Sequence, residues 1–258
     1  MIDSHCHLDF KDFSGRLEDI IKNALLAGVH TMVNIGADLR TSINSVKLAD
    51  EYDCIFATVG VHPHDAKKYN ADVEDQLIQL MNNKRVVAVG EIGLDFYRDL
   101  SPRDLQKKVF RRQLEIAVDR KLPVVIHSRE SFGETVEIVK EYSSRLVGGV
   151  FHCFPGTTKD AIEVIDLGLH ISVGGVITFP RARMAEVATE VPLDKILLET
   201  DSPYLTPEPY RGKTNQPAYV RFVRDKLAQL RGISAKEVEK ITDRNCQKMY
   251  RLVEVFGD

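Results

Sequence analysis

No stretch of this 258-residue chain approaches the roughly 20 consecutive apolar residues that a membrane-spanning helix needs, so no membrane partner is expected. The opening Met1-Ile2-Asp3-Ser4-His5 has neither a basic region nor an apolar signal core, which argues against export. Cys6, Cys54, Cys153 and Cys246 are scattered, with no CxxC pair and no dense framework. That suits a reducing compartment, and a cytoplasmic location is expected. Excess basic charge is missing too. A formal net charge of −3 argues against a protein that coats duplex DNA electrostatically, but not against an enzyme that grips one or two phosphates locally.

What is present is a rhythm of short β-branched runs. They fall at Met1–Asp3, Thr31–Ile35, Ile55–Val59, Val86–Val89, Val124–Ile126, Gly149–Phe151, Leu169–Val173 and Lys195–Leu198. Several are nearly continuous apolar stretches, as parallel strands buried on both faces are. Helical patterns lie between them. Leu17, Ile20, Ile21, Ala24 and Leu25 share one helical face, with Gly28 where a C-terminal cap belongs. Ser101-Pro102 reads as a helix start, and Ser234 with Glu237 as a capping box. Strand starts recur at intervals of roughly 20–40 residues, about one βα unit each. Eight units without a linker or a composition break predict one α/β domain over residues 1–258, a single (β/α)8 TIM barrel. A doubly wound open sheet is the alternative, but no Gly-rich phosphate loop follows the first run.

The ionisable residues sharpen this reading. His5 and His7 close the first run, His62 and His64 follow the third, and Glu91 closes the fourth. His127 closes the fifth, His152 the sixth and Asp201 the eighth. In such a barrel catalytic groups converge at the C-terminal ends of strands from many points in the sequence. Six of the eight histidines fit, while His30 precedes a strand and His170 begins one. Packing alone does not account for six. His5 and His7, two apart, project to one face of a strand, with Cys6 turned into packing. A lone HxH is weak evidence for metal; with Glu91, His127, His152 and Asp201 added it becomes strong. Glu91 follows a buried strand, where a carboxylate needs a cation or a hydrogen-bond partner. His62, in Gly60-Val61-His62-Pro63, reads equally as ligand, substrate contact or turn residue. His64 and His170 read as structural.

Four histidines and two carboxylates exceed one tetrahedral zinc site and suffice for two divalent cations bridged by a carboxylate. Such a pair polarises a phosphoryl or carbonyl oxygen and supplies hydroxide at neutral pH. Glu91 is the expected bridge and Asp201 the expected proton acceptor. Imidazole-rich ligation suits zinc, whereas phosphodiester chemistry suits magnesium or manganese.

These motifs resemble the TatD family of metal-dependent deoxyribonucleases, within the amidohydrolase-like barrels. The resemblance runs from Asp3-Ser4-His5-Cys6-His7-Leu8 to the last helix. It includes Gly60-Val61-His62-Pro63, Gly90-Glu91-Ile92-Gly93-Leu94-Asp95, His127-Ser128-Arg129 and His152-Cys153-Phe154. Leu198-Glu199-Thr200-Asp201-Ser202-Pro203 and Arg211-Gly212-Lys213-Thr214-Asn215-Gln216-Pro217 complete it. The resemblance implies one metal held by His5, His7, Glu91 and Asp201, and another by Glu91, His127 and His152. Related dinuclear amidohydrolases often bridge their metals with a carbamylated lysine after the fourth strand; Glu91 in that place favours the nuclease branch.

Charges beyond the ligands bear on substrate. Arg129, Arg211 and Lys213 lie just past strand-end ligands, where phosphate oxygens need fixing, while Arg181 and Arg183 read as solvated loop charges. Phe96 and Tyr97 could stack a terminal base or pack as a lid. The function expected is hydrolysis of DNA phosphodiesters; the preference for single-stranded ends and the 3′-to-5′ direction are implied by the resemblance. An acyl hydrolase such as a D-aminoacyl-tRNA deacylase is the alternative on the same barrel. A non-catalytic nucleic-acid-binding barrel is a second, disfavoured by the full ligand set.

Overall fold

A computed structural model describes residues 1–252. Eight parallel strands follow one another in a single sheet, in the order of the sequence. They are β1 (Ile2–Cys6), β2 (Thr31–Asn34), β3 (Ile55–Val59), β4 (Val86–Asp95), β5 (Val124–Arg129), β6 (Gly149–Phe151), β7 (His170–Val173) and β8 (Ile196–Leu198). One α-helix follows each strand: α1 (Leu17–Leu26), α2 (Leu39–Glu51), α3 (Ala71–Leu80), α4 (Arg103–Arg120), α5 (Phe132–Lys140), α6 (Thr158–Asp166), α7 (Arg183–Glu190) and α8 (Val220–Arg231). A further helix, α9 (Ala235–Met249), succeeds them. The ring closes beyond β8, where Cys6 bridges Ser202 in parallel fashion. His7 N–H donates to Ser202 O at 2.8 Å and Asp201 N–H to His5 O at 2.9 Å.

The strands are buried on both faces, which is why they read as apolar runs rather than alternations. Side chains of one parity, among them Val33, Phe56, Val87, Val125, Val150 and Leu197, form an inner cluster with Cys246, Met249 and Tyr250 of the α9 segment. The Tyr250 hydroxyl donates to Ser4 O at 2.9 Å. The Met1 ammonium lies 3.5 Å from Glu239 and 3.4 Å from Asp243, so α9 covers the end of the barrel where strands begin. The opposite end is left for polar groups. Among the described residues no helix is long and apolar enough to cross a membrane.

Three strands run further than their apolar runs suggested. β1 continues through His5, β5 through His127 to Arg129, and β4 through Glu91 to Asp95. The apolar run alone, Val86–Val89, ends the fourth strand just before Gly90. Instead the β4–β5 register shifts between Val89 and Ile92, and pairing resumes from Ile92 to Asp95. Gly93 allows this: its φ is 138°, and a Cβ there would stand 2.0 Å from the His127 carbonyl oxygen. Helix boundaries shift slightly. Pro102, not Ser101, is the N-cap of α4, because the Ser101 hydroxyl donates to His64 O at 2.8 Å instead. Ser234 caps α9 by accepting from Glu237 N–H. In α1, Ile20, Ile21 and Ala24 are buried, but Leu25 is 48% exposed.

Candidate metal centre

Local backbone pins each polar side chain at the C-terminal rim. Glu91 N–H donates to Gly36 O at 2.7 Å, and Gly90 O accepts from the Thr58 hydroxyl at 2.7 Å, so β4 is held by both β2 and β3 neighbours at its bend. Asp3 accepts from Thr200 N–H at 2.9 Å and from its hydroxyl at 2.6 Å. That ties β1 to the turn carrying Asp201, which itself has a φ of 54°. Asn215 completes the tie, its amide donating to Thr200 O at 2.8 Å and Tyr204 O at 2.6 Å. Burial pushes the Asp3 carboxyl up to about 8.

The carboxylate of Glu91 faces two groups of donors. On its Oε2 side, His5 Nε2 lies 3.6 Å from Glu91, 3.6 Å from Asp201 Oδ1 and 3.3 Å from His7 Nε2. His7 Nε2 is 3.4 Å from Asp201 Oδ1. Four donors set tetrahedrally at about 2.1 Å from a cation stand about 3.4 Å apart, which these distances match. On its Oε1 side lie His152 Nε2 at 2.8 Å, His127 Nδ1 at 2.9 Å and His62 Nε2 at 3.5 Å. His127 Nδ1 and His152 Nε2 are 3.2 Å apart. The first set has the spacing of a coordination sphere; on the other side His62, Glu91 and His127 also lie close enough together to hold a metal ion, while His152 groups as well with His5 and Asp201.

Electrostatics differ among the imidazoles when no cation is bound. Burial, reinforced by His152, holds His5 well below its usual range, and burial with His127 does the same to His62. Burial also opposes charge on His7, His127 and His152, but nearby carboxylates win. Asp201 raises His7, Asp95 and Glu91 raise His127, and Glu91 pushes His152 up to about 10. Burial would raise Glu91, yet His152, His62 and His127 together hold it well below the carboxylate range. Beneath the site Glu199, raised to about 7 chiefly by burial, accepts from the Ser172 hydroxyl at 2.5 Å and Cys153 N–H at 2.7 Å.

Six residues singled out from the sequence as ligands, His5, His7, Glu91, His127, His152 and Asp201, are thus brought together from five strands and their ends. His62 joins them. Its Nδ1 accepts from His64 N–H at 3.2 Å, so the neutral ring carries its proton on Nε2 and faces the site as a donor. Arg129 lines the roughly 860 Å³ cleft above the donors, its guanidinium 4.0 Å over the Tyr97 ring. Phe96 is half-buried against the core with Arg103 over it, so the Phe96–Tyr97 pair divides: one ring packs and the other is exposed. Arg211 and Lys213 lie outside the cleft lining, over the rings of Phe179 and Tyr210. The buried Asn215 is the residue of that loop that reaches toward the site.

Sequence reasoning missed Asp95. Its Oδ2 lies 3.1 Å from His127 Nε2 and 2.9 Å from His64 Nε2, so His64 is a partner of the site's carboxylate. Behind a ligating imidazole such a carboxylate fixes tautomer and ring orientation, leaving Nδ1 free to ligate. A signal existed: Glu91 and Asp95 sit four apart in an apolar run, on one face by strand periodicity.

The family of TatD-related DNases matches residues 2–251 of the chain. A metal-dependent hydrolase of Bacillus subtilis, YabD, whose function is uncharacterised, is 38% identical over 98% of this chain and 99% of its own length. A protein of Citrobacter koseri named 3′-5′ ssDNA/RNA exonuclease TatD is 34% identical over 97% of this chain and 98% of its own. The crystal structure of YJJV, a TatD homologue from Escherichia coli, superposes with a TM-score of 0.91 at 33% identity, covering 97% of this chain and 98% of that one.

Proposed function

We propose a nuclease reading from one premise: the chain belongs to the family of TatD-related DNases and is a metal-dependent hydrolase. It cleaves phosphodiester bonds in DNA, taking single strands from the 3′ end, with two divalent cations. The observation that carries the reading is the doubled donor arrangement about Glu91, opening into a cleft that also presents Arg129, Arg98 and Arg40. The polarity and strand preference draw on the relatives named 3′-5′ ssDNA/RNA exonuclease.

His5, His7 and Asp201 would hold one cation and His127 with His152 the other, Glu91 serving both. When bound, the cations polarise a phosphoryl oxygen and lower the pKa of water. The remaining work falls to the chain. Asp201, partly open to the cleft, accepts the proton of the attacking water. His62, neutral and with Nε2–H facing inward, donates to a phosphoryl oxygen as charge develops. Arg129 fixes a phosphate at the mouth, braced by Tyr97, whose exposed ring offers a face to the terminal base. Asp95 keeps His127 in the ligating tautomer. The cysteines are free among the described residues, which suits work in the cytoplasm.

The test uses metal-stripped protein and a 5′-labelled single-stranded oligonucleotide, with magnesium, manganese and zinc added separately and Glu91→Ala run alongside. Stepwise shortening from the 3′ end, absent in the variant, is expected. An oligonucleotide left intact under every metal would overturn the substrate; release of amino acid from D-aminoacyl-tRNA would then identify an acyl hydrolase.

A further inference from the structure

We infer that the groove beside the metal cleft is a further nucleotide subsite, binding the third unit of a single-stranded polynucleotide whose terminal phosphodiester lies over Glu91. This rests on the nuclease reading and extends it to a surface that the ligand set does not touch. The groove, about 650 Å³, is formed by the segment after β1 together with Arg40 and Tyr204. Phe10, Arg40 and Tyr204 line both it and the metal cleft, so the two spaces share a wall.

That wall is aromatic and held in place. Phe10 stacks on His7 with ring centroids 4.6 Å apart, and Tyr204 meets Phe10 edge-on at 6.1 Å. Tyr204 N–H donates to Asp201 O at 2.9 Å and Tyr204 O accepts from Asn215, so its backbone is fixed relative to the proton acceptor. The Tyr204 ring is nonetheless 53% exposed. A half-open ring carried on a fixed backbone is a stacking platform, and only an unpaired base offers its face to one.

The charges fit a single backbone rather than a duplex. Lys11 and Arg40 border the groove, and neither makes an ion pair or a side-chain hydrogen bond among the described residues. Asp12 is also exposed there and Asp9 half-buried, so the surface is not broadly basic and the cations act singly. Two uncommitted cations suffice for one or two phosphates. Across the cleft, Arg129 and Tyr97 make a second aromatic–cation pair. The terminal nucleotide lies on that side, and the chain leaves over Tyr204.

The experiment measures fluorescence anisotropy of labelled phosphorothioate oligothymidylates, a dinucleotide, a tetranucleotide and an octanucleotide, with manganese present. Wild type is compared with Tyr204→Ala, Tyr204→Phe and Lys11→Glu. Affinity is expected to rise about tenfold from dinucleotide to tetranucleotide, from one stacked base and its phosphate. Tyr204→Ala should erase that gain and Tyr204→Phe keep it. Lys11→Glu should weaken only the longer probes and flatten their salt dependence, while hydrolysing bis(p-nitrophenyl) phosphate at the wild-type rate. Equal affinity for dinucleotide and tetranucleotide, or a gain that survives Tyr204→Ala, overturns the subsite while the nuclease reading stands. Failure of wild type to bind or cleave any oligonucleotide overturns both.

Discussion

His5 and His127 both face Glu91 from buried strands, yet the two sides of the centre hold their imidazoles by different means. Among the described residues the Nδ1 atoms of His5 and His7, on the β1–β8 side, have no hydrogen-bond partner, and His152 Nδ1 across the centre has none either. The rings are fixed by stacking, His5 on His152 at 4.1 Å and His7 on Phe10 at 4.6 Å. Donor atoms there already stand at the spacing of a coordination sphere. On the β4–β6 side, His127 is gripped from behind by Asp95, and both His127 and His152 hydrogen-bond to Glu91 Oε1. The imidazole nitrogens there lie 2.8 and 2.9 Å from the carboxylate oxygen, closer than donors around a cation stand. The lesson is that one half is shaped for metal by packing, and the other is held together by hydrogen bonds that metal must displace. The β1–β8 side should therefore load first, and the β4–β6 side second with greater release of protons.

The sharpest way to break this comparison is to remove what both sides share. Glu91→Ala should abolish both loading steps, seen as loss of bound metal by elemental analysis, and lower turnover about a thousandfold. Retention of one full equivalent would mean that the sides are independent. Asp201→Asn should cost on the order of a hundredfold in turnover and weaken the first step only. Asp95→Asn should act on the other side, weakening the second step about 10- to 100-fold while the first is unchanged. Equal weakening of both steps would dissolve the distinction.

Proton counting sharpens it further. His127 and His152 are raised above their ordinary value, the latter to about 10, and a protonated imidazole cannot ligate. Affinity for the second cation should fall as pH drops, and titration calorimetry near pH 7 in buffers of different ionisation enthalpy should show protons released at that step. The sign for stability is opposite. The metal-free protein gains from a protonated His152 fully below its ordinary value of 6.5, and loses that gain as pH rises toward about 10. The smallest effect is on the arginines. Arg129→Ala should raise KM for oligonucleotides about tenfold, a charge-assisted phosphate contact, whereas Arg211→Ala, outside the cleft, should change it less than about twofold.

Much of this was legible because a parallel barrel forces apolar runs and polar ends upon the sequence. The eight runs and the six proposed ligands stood out for that reason. The rim was less legible. Gly90 read as a terminus because a strand that bends through a register shift looks like a strand that stops. Asp95 and His64 were hidden with it, one beyond the supposed end and the other in a turn. Arg211 and Lys213 stood out because a loop rich in glycine and proline suggests a rigid anion grip. The loop also holds the Asp201 turn through Asn215, and its cations lie on aromatic rings outside the cleft lining. Side-chain direction in an irregular loop leaves no periodic trace.

The seam between β1 and the turn after β8 gives the centre a mechanical meaning. Every other strand junction is a run of backbone pairing, but this one rests on the Cys6–Ser202 bridge, two flanking hydrogen bonds and the Asp3–Thr200 clasp. His5 and His7 stand on one side of that joint and Asp201 on the other. The cation proposed to be shared by them would be a buckle on a belt, fastening its first strap to its last. Loading it should slow the opening of the ring itself, so that amide exchange along β1 is a direct gauge of whether the buckle is closed.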